Sequence, residues 1–307
     1  MLLDDLEDDV RSEVLRYLPY DKSDPKVAAE LAAMNTSNLL IRFFNWHARL
    51  VAPVPRTVHR SAELVANPLA QKFAVELASI ISKLERGENV KAHLSKGIAV
   101  GYQPSPTPIK DLKRQRDLDL LLNDWGIHHL HLSDVGAADG FVTRTPELLF
   151  AAFTRTDAYL IDIMLHGGWA DDHLISVIVN NWPNTGLVRR LNGILASNQP
   201  ISTQKRSKLR EAGLMTPVEI GGAMYLPSAG FSTAGTSVKS SVRAGSLRKA
   251  IQSFCARFDA DPTFMKPGFA EAKMEMPEDP KFRFMFEASG YGLIEQQTNL
   301  FFLLDSF

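Results

Sequence analysis

The sequence predicts an α+β protein, with a helical N-terminal part, a small antiparallel sheet in the centre and a mixed α+β C-terminal part. Three observations carry this. Apolar residues recur at helical spacing through the first hundred positions, starting with Leu6, Val10, Val14 and Leu18. Between Gly126 and His166 the pattern changes to short strand-like runs bounded by turn residues, of which His128 to Leu132 and Asp162 to His166 place chemistry-bearing side chains at a strand's period of two. After residue 200, strand-like pieces alternate with one long amphipathic helix.

The elements follow in order. An acidic first turn suits the positive end of the first helix dipole, and Ala28 to Met34 continues helical. Ser37 is the expected cap of a helix through Leu39 to Trp46, which Pro53 and Pro55 stop. A further helix is expected from Leu69 to Glu85, ending near Gly87. Gly101, Pro104, Pro106 and Pro108 mark the first boundary. A charged helix over 109–125 leads into the strand Gly126-Ile-His-His-Leu-His-Leu132. The strands Glu147 to Thr154 and Ala158 to His166 flank the short turn Arg155-Thr156-Asp157 and should form a hairpin. Asp171 or Asp172 can cap a helix ending before Pro183, and residues 184–204 read as helix plus connector. Strand pieces around Val218 to Tyr225, a Gly/Ser/Thr-rich loop over 228–237 and a basic helix from Ala244 to Phe258 come next. The chain closes on a hairpin around Gly290-Tyr291-Gly292. The expected domains are residues 1–100, helical; 110–200, α+β around the histidines; and 201–307, basic and α+β.

At 307 residues the chain can bury a substantial core. A hydrophobic share of 45%, a charged share of 22% and a net charge of -1 are those of an ordinary globular protein, with no global field toward polyanions. Charge is uneven, however. Asp4, Asp5, Glu7, Asp8, Asp9 and Glu13 make the start acidic, while Lys205, Arg206, Lys208 and Arg210 open a basic stretch. The single cysteine, Cys255, sits in an apolar helical pattern and fits a buried hydrophobe in a reducing cytoplasm. No apolar run is long enough to cross a bilayer. GxSxG, HExxH and paired CxxC patterns are missing, which leaves serine hydrolase, zincin and zinc-finger readings without support. The loop over 230–237 could offer amides to a phosphate, but it lacks P-loop spacing, and turn chemistry accounts for it.

Chemistry concentrates in the centre. His129 and His131 point to one face of their strand and Leu130 and Leu132 to the other; Asp162 and His166 share a face on theirs. The expectation is a sheet with one apolar side and one side bearing imidazoles and a carboxylate. Three uses stay open. His129, His131, Asp162 and His166 are metal-ligand types. Imidazoles with arginines can instead perform metal-free acid–base chemistry on a phosphodiester. The third possibility is hydrogen bonding without chemistry.

The order helix, strand, Arg144-Thr-Pro-Glu-Leu-Leu-Phe-Ala-Ala-Phe153, turn, Asp157-Ala-Tyr-Leu-Ile-Asp-Ile-Met-Leu-His166 resembles the sheet of RelE/HigB-type ribonuclease toxins over about residues 110–170. The resemblance implies an RNA-cleaving sheet with Arg144 stabilising the phosphate, His166 as the terminal acid and His129 or His131 as base. It also implies no cofactor, RNA (free or ribosome-bound) as substrate, and a toxin or phage-defence setting with an antitoxin or other regulatory protein as partner. Arg155, Lys205, Arg206, Lys208 and Arg210 are the expected nucleic-acid contacts. The resulting expectation is a cytoplasmic, metal-independent endoribonuclease. A non-enzymatic nucleic-acid-binding or scaffold protein is the alternative, and a metal-dependent enzyme with an HxH site is third.

Overall fold

Residues 2–104, 118–167, 170–194, 201–287 and 290–306 are described in a computed structural model of the chain. Helix α1 (Leu2–Tyr17) buries the stripe Leu6, Val10 and Val14. Helix α2 (Pro25–Ala33) starts at a proline, and the Asp24 carboxylate accepts the Lys26 N–H. Helix α3 (Thr36–His47) is capped by Asn35, whose Oδ1 accepts the Asn38 N–H at 2.9 Å. Ser37, the expected cap, instead accepts from Arg248 at 2.7 Å.

Past Pro53 and Pro55 lies a strand that the sequence did not announce, β1 (Thr57–Arg60). The helix expected over 69–85 is two helices. After α4 (Ala62–Ala66), α5 (Pro68–Lys72) and α6 (Ala74–Arg86) are separated by Phe73, which leaves helical geometry and is buried. Helix α6 ends at Gly87, with φ 71°, so close to the Pro55 backbone that a side chain would not fit. A 3-10 turn (Lys91–His93) and α7 (Gly97–Val100) follow. Of the helix expected over 109–125, residues through 117 lie outside the described residues; α8 (Leu120–Trp125) is its end, capped by Asp119 and closed by Gly126 at φ 72°.

The central sheet contains β2 (Ile127–His131), β3 (Glu147–Phe153) and β4 (Asp157–Leu165), in the order β1-β4-β3-β2. The β3–β4 hairpin forms as expected, and β2 adds antiparallel to β3. The sheet is nevertheless mixed, because β1 lies parallel to β4, with Thr57 opposite Asp157 and Arg60 opposite Leu160. The register also shifts at Ile161, since Ala151 faces Leu160 whereas Phe150 faces Asp162. Strict alternation along β4 therefore fails, and Ile161 and Ile163 end up in different cores.

Both faces of this sheet are covered, which corrects the expectation of one apolar and one polar side. Leu130, Leu149, Leu160 and Ile163 pack with Leu64, Ile80 and Leu84. Ile127, Leu148, Phe150 and Ile161 pack with Leu174, Ile178 and Val218. Helix α9 (Asp172–Asn181), capped by Asp171 as anticipated, supplies much of that second layer. The described part of residues 184–204 holds the short strand β5 (Val188–Arg190) and the start of a later helix; residues 195–200 lie outside the described residues, as do Gly168 and Trp169. Strand β5 joins β6 (Val218–Ile220) and β7 (Ala223–Pro227) in a three-stranded sheet, and α10 (Thr203–Glu211) lies between β5 and β6 in sequence.

After α11 (Val238–Ala260), a 3-10 turn (Pro262–Met265) and α12 (Lys266–Glu271), the chain ends in a meander: β8 (Phe282–Glu287), β9 (Gly290–Glu295) and β10 (Phe301–Ser306). The expected hairpin forms between β8 and β9, with Glu287 opposite Gly290, and Gly290-Tyr291-Gly292 opens its second strand. A methyl group at Gly292 would overlap the Phe302 backbone carbonyl. Gly292→Ala is expected to lower stability by about 1–3 kcal/mol, the usual cost of overpacking, as a drop in the thermal midpoint followed by near-UV circular dichroism.

The chain divides into two compact units, Met1–Phe44 with Ser240–Phe307, and Asn45–Lys239. These differ from the three consecutive segments expected, because the last strands pair in space with the first helix. Strand β8 is an edge strand. On its unpaired side, Asp9 of α1 accepts the Phe284 N–H at 3.1 Å, and Glu13 accepts the Phe286 N–H at 3.3 Å. Burial raises the Asp9 pKa. Two of the residues that make the start of the chain acidic thus serve a sheet edge. Among the described residues no helix is long and apolar enough to cross a membrane. Cys255 is buried on α11, as expected.

Candidate active site

Strand β2 places His129 and His131 on the same side, with ring centroids 6.3 Å apart and the planes nearly perpendicular. Opposite them on β3 stand Phe150 and Leu148, so the imidazoles border the second core rather than open solvent. His131 is 7% exposed. Its Nδ1 accepts the Thr145 N–H at 3.4 Å, which puts its own proton on Nε2. Nδ1 of His129 lies 3.9 Å from the Asp119 carboxylate at the start of α8.

Arg144 and His166 come from the two strand ends at the open end of the β3–β4 hairpin, where the His166 N–H donates to the Pro146 carbonyl at 2.7 Å. One Arg144 N–H donates to the Leu94 carbonyl at 3.0 Å, and the guanidinium lies 5.8 Å from the Phe141 ring centre. His166 is exposed. These groups sense one another. Burial is the main cause that lowers the His131 pKa, to about 3, and the charges of Arg144, His129 and His166 push the same way. Burial likewise lowers the His129 pKa; Asp119 opposes this, while His166, Arg144 and Arg49 add to it. Both imidazoles are neutral near pH 7.

Four residues singled out in the sequence, His129, His131, Arg144 and His166, therefore gather at one end of the sheet. Others do not join them. Arg155 sits in the hairpin turn, at the other end of strands seven and nine residues long, on the order of 25 Å away at the usual rise per residue. Asp162 turns elsewhere. Its Oδ2 pairs with Nε2 of His173 at 2.7 Å, and its Oδ1 accepts from the Asn67 amide at 2.6 Å. Among the described residues no three His, Cys, Asp or Glu side chains come together as a metal site, so the set His129, His131, Asp162 and His166 is not assembled.

The basic stretch also changes meaning. Arg206 is 2% exposed and grips both oxygens of Asp172, at 2.7 and 3.0 Å. Arg210 is 4% exposed, pairs with Asp124 at 2.7 Å and stacks 4.4 Å from the Trp125 ring centre. Only Lys205 and Lys208 of that set are exposed. Helix α10 turns every fourth residue inward, and the inward positions happen to be the arginines. The glycine-rich loop is also spoken for: the amides of Gly230, Ser232, Gly235 and Val238 donate to backbone carbonyls, and that of Ser237 to Asn45.

Three contributors escaped the sequence reading. Asp119 precedes a leucine run, an N-cap signal that could have placed it one short helix from β2. Arg49 is buried against Gly97, where a Cβ would lie 2.6 Å from its Nη2. His93 is fully buried; its Nδ1–H donates to the His131 carbonyl at 3.0 Å and its Nε2 accepts from the Lys83 ammonium at 3.1 Å. His93 thus fixes the backbone that carries His131. No protein-family model, curated protein or solved structure matches the chain.

Proposed function

We propose that the protein is a metal-independent endoribonuclease whose site is His129, His131, Arg144 and His166. The supporting observation is the gathering of three imidazoles and one guanidinium at a single end of the central sheet, two of those imidazoles being neutral near pH 7. In this reading His129 takes the proton of a ribose 2′-hydroxyl, and the 2′-oxygen attacks the adjacent phosphorus. Arg144 and the Nε2–H of His131 stabilise the charge that develops on the phosphoryl oxygens. His166 gives a proton to the departing 5′-oxygen, leaving a 2′,3′-cyclic phosphate. A base as weak as His131, at about 3, suits a hydrogen-bond donor better than a proton acceptor. The order of elements that resembles RelE/HigB-type toxins supports the same assignment of Arg144 and His166. Burial of Arg206 and Arg210 removes two of the five cations expected to contact nucleic acid, which weakens the purely binding alternative.

The test is cleavage of end-labelled single-stranded RNA, free with EDTA present and in a translating extract without it. Wild-type protein is expected to yield 5′-hydroxyl products. His166→Ala and Arg144→Ala are each expected to slow cleavage about a hundredfold. Intact RNA in both settings, or equal cleavage by the double variant, rules the proposal out.

A further inference from the structure

Helices α4, α5 and α6 enclose a cleft of about 490 Å³, within the range of small-molecule sites, on the side of the central unit that carries the first core. Its floor is apolar, with Leu64 and Leu77 buried. Ala70, Ala74 and Ala78 along α5 and α6 are too short to fill it. The polar inventory is small. Asn67 is committed, since its amide donates to Asp162 and to the Ile163 carbonyl and its oxygen accepts the Leu69 N–H. Gln71 and Arg60 remain. Arg60 is exposed at the end of β1, and among the described residues it has no ion-pair partner. Among the described residues no aspartate or glutamate lines the cleft, and the one formal charge they give it is positive.

We propose that this cleft binds a small amphipathic carboxylate, such as a medium-chain fatty acid. The alkyl body would lie on the alanine wall over Leu64 and Leu77, and the carboxylate would pair with the Arg60 guanidinium. An apolar wall alone would accept any hydrophobe. A single unopposed guanidinium at its edge selects for an anionic end, and Gln71 as the one other uncommitted polar side chain of the lining argues against a sugar or nucleotide, which would leave many hydroxyls unpaired. The site is separate from the histidine cluster and stands or falls without it.

Isothermal titration of the full chain with decanoate, below its micelle concentration, tests this, with decanol as the uncharged control. Decanoate is expected to bind at one site. Arg60→Ala should weaken it about tenfold or more, the loss of one charge-assisted pair, and leave decanol unchanged. Ala74→Phe, which fills the cleft, should abolish both; Ala78→Phe serves if the first variant melts early. No decanoate binding, binding at many sites, or an affinity indifferent to both substitutions overturns the proposal.

Discussion

Acidification from about pH 7 to about pH 4.5 is expected to strip the central unit of most of its stability. The cause is four sequestered imidazoles. Burial is the leading cause that lowers the pKa of His93, of His128 (to about 4), of His129 and of His131 (to about 3), against an ordinary value of 6.5. Above that value the imidazoles are neutral whether the chain is folded or not, and no penalty exists. Below it the unfolded chain takes up protons that the folded one refuses. Stability then falls by about 1.4 kcal/mol per pH unit for each such imidazole, down to its folded pKa. For a domain stable by roughly 5–15 kcal/mol, that is decisive. Carboxylates with depressed pKa, such as Asp157 held by Thr156 and His59, titrate lower and do not obscure the window.

Urea unfolding at several pH values, read by tryptophan fluorescence, measures this. Trp46, Trp125, Trp169 and Trp182 all lie within Asn45–Lys239, so the signal reports that unit alone. His128→Leu and His131→Leu should each flatten the slope. A midpoint constant between about pH 7 and about pH 5 would show that the imidazoles are not sequestered.

Removing one partner of the Asp124–Arg210 pair should be nearly as damaging, whereas removing both should not. Each side chain is about 95% sequestered, at 5% and 4% exposure. Burial raises the Asp124 pKa despite Arg210, and burial lowers the Arg210 pKa despite Asp124. The two shifts agree that desolvation outweighs the mutual attraction. Such a pair adds little net stability, but either charge left alone is costly. Asp124→Ala and Arg210→Ala are each expected to lose about 3–5 kcal/mol, and Asp124→Leu/Arg210→Met much less. Additive losses in a double-mutant cycle would refute this account. The same cycle checks that α10 is a structural element and not an RNA-binding face.

Local signals carried much of the architecture. Alternation in Ile127 to His131, the turn before Asp157 and the cap at Asp171 placed three strands and a helix, because each depends on residues a few positions apart. The failures are non-local. Strand β1 is four residues long and gains its identity only by pairing with Asp157 to Leu160, far along the chain. The Ile161 shift cannot be read from a run of apolar residues that would suit either face. Arg206 and Arg210 looked like surface charge because their partners, Asp172 and Asp124, stand 34 and 86 positions away. Of the candidate site, residue types and the shared end of the hairpin were legible. Asp119, Arg49 and His93 enter through packing that a linear pattern does not reveal.

The strand edge sealed by Asp9 and Glu13 has a consequence during synthesis. Helix α1 leaves the ribosome well before Phe284 and Phe286, whose amides its carboxylates accept. Until then Asp9 and Glu13 lack those amides, while residues 45–239 form a unit with cores of their own. The growing polypeptide carries those two carboxylates without their strand amides until 275 further residues have been added after Asp9.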